Sequence, residues 1–82
     1  MLRYMTVTDQ HVGARIKARR EQVGHSQAHV GAMMHLKGFP GWSGDVVSRV
    51  ELGKRPLRFI EAVALCDAAL LGVSLDYLSK ER

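Results

Sequence analysis

The densest run of side chains able to act on a partner is Ser43-Gly44-Asp45-Val46-Val47-Ser48-Arg49-Val50-Glu51. At about 100° per residue, Val47 and Val50 share one helical face, while Asp45, Ser48 and Arg49 fall on the opposite one. The chemistry on that outer face is recognition: a hydroxyl, a carboxylate and a guanidinium supply donors and acceptors to a partner. A helix this short is not stable alone. Neighbours must hold its valine side and leave Ser48 and Arg49 presented outward.

Other constellations offer less. Among the histidines His11, His25, His29 and His35, His25 and His29 stand four apart, but His25 precedes a helix cap and no third ligand is placed, so no metal is expected. Cys66 lies on an apolar line with nothing beside it to activate a thiolate, which makes it a small core residue. No nucleophile–base pair, phosphate-cradling glycine loop or carboxylate dyad occurs at useful spacing. The chain is therefore not expected to be an enzyme or to carry a cofactor.

Composition sets the frame for these residues. Eighty-two residues make one domain with a modest core, and a hydrophobic share of 46% excludes overall disorder. A formal charge of +4 favours an anionic partner without identifying it. The single cysteine cannot form an intramolecular disulfide, and the stretch Met1-Leu2-Arg3-Tyr4-Met5-Thr6-Val7 lacks the apolar run of a signal peptide. No run approaches about 18 consecutive apolar residues, so no membrane segment is expected and a cytoplasmic location is.

The elements that must position the 43–51 segment are all helical. Residues 1–8 read as an N-terminal arm ahead of a domain spanning 9–82, with Thr8 or Asp9 capping a first helix that runs to about Val23 and stops at Gly24. Its stripe is Val12, Ile16 and Val23, and Arg15, Lys17, Arg19 and Arg20 are expected to form a solvated basic face, with contact to an anionic partner as the alternative. Ser26 caps a second helix from Gln27 to about Met34, with Ala28, Val30, Met33 and Met34 on its apolar side. The run 35–42 is a loop whose Phe39 and Trp42 should pack back over the domain.

Ser43 is placed to cap the third helix and Gly53 to end it. Pro56 then suits the start of a fourth, spanning about Leu57 to Leu71, with Phe59, Val63, Cys66 and Leu70 as a buried stripe. That helix carries more apolar surface than one contact needs, because Ile60, Leu71, Ala62, Leu65 and Ala69 flank the stripe. A second packing partner is implied, and a homodimer through the C-terminal part would supply it. Ser74 caps a last helix, Leu75 to about Lys80, with Leu75 and Leu78 facing inward.

From Gly13 to Leu78 the chain resembles the phage-repressor and Cro-like helix-turn-helix family. The resemblance is carried by Ile16-Lys17-Ala18-Arg19-Arg20-Glu21, by Ser26-Gln27, by Val47-Ser48-Arg49-Val50-Glu51-Leu52-Gly53-Lys54-Arg55, and by Leu70-Leu71-Gly72-Val73-Ser74-Leu75-Asp76-Tyr77-Leu78, in that order. It implies an all-α, five-helix domain of the lambda-repressor-like type that binds double-stranded DNA and regulates transcription, acting as a repressor. Two departures stand out. The run 35–40 looks like an insertion between the second and third helices, which either bulges away or lengthens the second helix, and the fourth helix is about three residues longer than the family pattern.

The resemblance also implies roles. Gln27 looks like the phosphate-contacting glutamine at the start of the second helix. Ser43, Gly44, Asp45, Ser48 and Arg49 take positions that face the major groove, with Arg49 suited to a bidentate guanine contact. Asp45 would accept from cytosine, repel wrong phosphate approaches or simply complement the helix dipole. Lys54 and Arg55 match positions that clamp the DNA backbone, and Arg20 matches an arginine that pairs with Glu51 as a structural, orienting ion pair. The competing reading is a protein-binding helix-turn-helix module, such as an antitoxin or a regulator's partner.

Overall fold

Thr8 opens the described chain by accepting the amide hydrogen of His11 on its side-chain oxygen, and that cap starts α1 (Asp9–Val23). The computed structural model describes residues 8–79, so all but Thr8 of the arm expected over residues 1–8, and the tail after Ser79, lie outside the described residues. Ser26 repeats the device with the His29 amide and starts α2 (Gln27–Leu36). Next come α3 (Gly44–Glu51), α4 (Phe59–Leu65) and α5 (Leu75–Ser79), the last with Ser74 accepting from the Tyr77 amide. All regular structure among the described residues is α-helical.

Packing is densest between α2 and α3 and between α1 and α3. The core is Ile16, Val30, Met34, Trp42, Val46, Val47, Val50, Leu65, Leu70, Leu71 and Leu78. Two glycines allow the helices to meet this closely. A Cβ on Gly31 would overlap the Ser43 carbonyl, and one on Gly13 would overlap the Val50 carbonyl, so any larger residue at either place pushes α3 away from its supports. The 3.6-residue period predicts the inward side of α3 well, with Val47 and Val50 buried, and adds Val46 to them.

The structure corrects the reading of the fourth helix. It ends at Leu65 rather than Leu71, and Phe59 and Val63 of the expected stripe are exposed while Cys66 is half-buried. The residues α4 turns inward are Glu61 and Leu65. Beyond it Asp67 Oδ1 accepts from the Ala69 amide, the local side-chain bond by which aspartate draws backbone out of a helix, and Leu71 N–H reaches back to the Leu65 carbonyl. The chain reverses there and delivers Leu70 and Leu71 together into the core.

Smaller differences have local causes. Helix α2 runs two residues past Met34 and buries Gly31 where Ala28 was expected, because Gly31 is the point of contact with α3. Ser43 stands at the N-cap of α3 but makes no side-chain cap bond. Leu75 is on the rim and Leu78 alone of that pair is buried. The 37–43 connection is laced down: the His35 ring meets the Pro40 carbonyl, Phe39 N–H donates to Met34, Lys37 pairs with Asp67, and Phe39 packs against the core.

Candidate nucleic-acid interface

With three valines inward, α3 turns Asp45 and Arg49 to solvent, their side chains 82% and 56% exposed, and leaves Ser48 half-buried beside them. One turn apart, the two charges form an ion pair with 3.7 Å between Asp45 Oδ2 and Arg49 Nη2. Ser43 is exposed at the head of the helix, and Gly44 is half-buried against Ala28 of α2. The five positions expected to face a partner are thus contiguous on one end and one side of α3.

What fixes the attitude of that helix is a node at its other end. Glu51, 7% exposed, accepts from Arg20 Nε at 2.6 Å, from Arg20 Nη2 at 3.0 Å and from Gln27 Nε2 at 2.9 Å. Arg20 Nη1 also donates to the His25 carbonyl at 2.9 Å, so one guanidinium ties α1, the α1–α2 turn and α3. The hydrogen bonds to Glu51, followed by its charge and that of Glu21, outweigh burial and hold the Arg20 pKa above its ordinary value. Gln27 sits at the first position of α2 with one amide hydrogen on Glu51. An amide nitrogen carries two, so this bond engages one of them and leaves the other without a partner among the described residues.

The remaining cations divide sharply. Lys54, just past α3, is exposed and forms no ion pair among the described residues. Arg55, expected beside it as a clamp, turns inward: it donates to Glu61 at 3.2 and 3.1 Å and lies over the Trp42 ring at 5.2 Å. Trp42 Nε1 donates to the same carboxylate, which is 3% exposed. Burial alone would raise the Glu61 pKa, but bonds from Arg55, the Arg58 amide and Trp42 bring it down to about 2. Sequence reasoning missed this cluster because its members lie on three separate segments; a tryptophan and an arginine flanking a glutamate in a helix start were its only trace.

The basic face of α1 is likewise mostly consumed. Arg15 stacks on Tyr77 at 5.4 Å, and Arg19 Nε donates to the Leu71 carbonyl at 2.7 Å and Nη1 to Gln22. With Arg20 on Glu51, three of its four cations fasten the first helix to the rest of the fold, and Lys17 remains exposed. His25 and His29 place their rings 4.6 Å apart, and among the described residues no three His, Cys, Asp or Glu side chains gather as a metal site would require. Burial raises the pKa of Cys66, which suits a packed thiol. No helix among the described residues is long and apolar enough to cross a membrane.

No protein-family model matches the sequence, and the curated proteins contain nothing similar to it at a significant level. Solved structures do. The restriction-modification controller protein C.AhdI from Aeromonas hydrophila matches with a TM-score of 0.68 at 23% identity, over 85% of this chain and 94% of that one. The DNA-binding domain of BldD matches with a TM-score of 0.67 at 27% identity, over 93% of this chain and all of that one (100%). Hydroxypropylphosphonic acid epoxidase from S. wedmorenis matches with a TM-score of 0.72 at 22% identity, over 93% of this chain but only 36% of that one, so the same fold also occurs as a part of an enzyme. Five helices in this order, α3 packed on α2 and tied to α1 through Arg20 and Glu51, and these likenesses give the chain the fold of the phage-repressor and Cro-like helix-turn-helix domains.

Proposed function

We propose that this chain is a sequence-specific DNA-binding transcriptional regulator, a repressor of the phage or prophage kind that acts in the cytoplasm as a homodimer and has no catalytic activity. The observation that carries the reading is the outward face of α3, polar and exposed, on a helix tied to two others by hydrogen bonds to the buried Glu51. A helix so held enters the major groove as a rigid probe, which is what base readout requires. The likeness to a DNA-binding domain and to a controller protein supports it.

In this reading Arg49 reads a guanine edge, and Ser43, Gly44, Asp45 and Ser48 line the same groove. Gln27 and Lys54 hold phosphates on either side. Arg55 acts through the fold, setting the segment that carries Lys54, because its guanidinium is occupied by Glu61. Two mutants separate the kinds of contact. Arg49→Ala should cost about 1–3 kcal/mol on the preferred site and relax the preference at one base pair. Lys54→Ala should weaken all duplexes alike and lower the salt slope by about one unit. Uniform loss in both would place Arg49 on phosphate as well.

One observation favours a second reading. Leu36 is 80% exposed at the end of α2, and with Ala28 and Ala32 it borders a shallow apolar groove beside Ser43 and Gly44. A protein-binding module would use such a surface. It would also show no counterion-release slope on random duplex DNA, whereas the DNA-binding reading demands one.

A further inference from the structure

The Asp45–Arg49 pair is more than the proposed contact list needs. A carboxylate 82% exposed on the surface turned toward an anionic polymer works against affinity, in a chain whose formal charge is +4. Asp45 stands in the first turn of α3, one turn before Arg49, which is the favourable order for an i, i+4 pair, and the two charged ends are 3.7 Å apart. Arg49 forms no other ion pair among the described residues. Asp45 is therefore the one charged side chain among the described residues that the Arg49 guanidinium meets before any partner arrives.

We infer that Asp45 is a positioning residue for base readout, holding the Arg49 guanidinium over the outer face of α3 so that it addresses a base edge and not the nearest phosphate. This rests on the DNA-binding reading above. A guanidinium has five N–H donors in a planar fork, so one edge can face Asp45 while two donors on another edge meet the O6 and N7 acceptors of guanine. A long arginine left free would lose more conformational freedom on docking and would satisfy itself on phosphate as readily as on a base. Asp45 removes both alternatives: it preorders the side chain and repels the phosphate. The cost falls on binding to every duplex, and the gain on the preferred one alone.

The test is a two-by-two comparison of the parent, Asp45→Asn, Arg49→Ala and the double variant, each measured against a selected site, its single-base-pair variants and random duplex, at two salt concentrations. Asp45→Asn should reduce discrimination at the base pair read by Arg49 by about two- to tenfold, tighten random-duplex binding and steepen its salt dependence. In the Arg49→Ala background the same change should leave discrimination unaltered. Asp45→Asn that shifts affinity for all duplexes by one factor, with base preference intact, overturns the inference. So does an equal loss of discrimination in the Arg49→Ala background, which would make Asp45 a reader in its own right. A lower melting temperature with unchanged preference would leave only a helix-dipole role and overturns it too. Parent protein without salt-dependent binding to any duplex sinks the DNA-binding reading itself, and is distinguishable from all of these.

Discussion

At Glu61 a carboxylate sits 3% exposed inside the fold, yet accepts from Trp42, from both terminal nitrogens of Arg55 and from the Arg58 amide. Its pKa in the folded chain is about 2. A glutamate in an unfolded chain titrates near 4.3, so the folded value is depressed. The stability that Glu61 contributes is thus complete above the unfolded pKa and is lost as pH falls through the range from roughly 5 to 2. Glu61→Gln should lower stability at pH 7 by about 2–3 kcal/mol, and the gap should close by roughly pH 2. Urea midpoints at the two pH values check this, and a gap that persists in acid would show that the loss comes from packing and not from charge. The Glu51 node differs in purpose. There the buried carboxylate links α1, α2 and α3, and its removal would leave Arg20 charged, enclosed and without its bidentate partner.

Among the elements, the 35–40 stretch behaves as part of the structure. It contains the last two residues of α2, the His35–Pro40 closure and Phe39 against the core, and it leads directly to Trp42, which meets Glu61. Deleting residues 35–40 should lower the melting temperature and reduce the helical circular-dichroism signal, with about 1–2 kcal/mol of the loss from the partly buried Phe39. A deletion variant that melts like the parent would show the stretch to be a passive bulge. How far such things can be read in a sequence depends on whether the cause is local. The starts of α1 and α2 were legible because Thr8 and Ser26 act on amides three residues away. Helix α4 was not, because Phe59, Val63, Cys66 and Leu70 keep a helical period through a point where Asp67 breaks the helix. Its inward side is headed by Glu61, a charge that periodicity assigns to solvent and that only Arg55 and Trp42 make acceptable inside. In the candidate interface, the outward side of α3 followed from spacing. The inward turn of Arg55 did not, since its partner is on a face the period misplaces.

For the molecule as a whole, the shortened α4 strengthens the case for a second copy. Phe59, Ile60 and Val63 are 71%, 53% and 46% exposed, and with Leu75 they form an apolar surface around α4 and α5 that the described residues leave open. A homodimer through that surface would present two α3 helices, and its preferred DNA would be palindromic with half-sites roughly 34 Å apart. Sedimentation should give a dimer at DNA-binding concentrations, and Val63→Glu should give a monomer that keeps its helical signal. A parent protein that sediments as a monomer both free and on DNA would remove this proposal. The distribution of charge over the same molecule has a different consequence. Arg19, Arg20 and Arg55 each spend a planar fork on a carbonyl or carboxylate inside the fold, while Lys17 and Lys54 stand free of ion pairs among the described residues. Lysine and arginine are therefore not interchangeable along this chain: swapping one for the other breaks no ion pair among the described residues at positions 17 and 54, yet dismantles a joint at 19, 20 or 55 without altering the net charge at all.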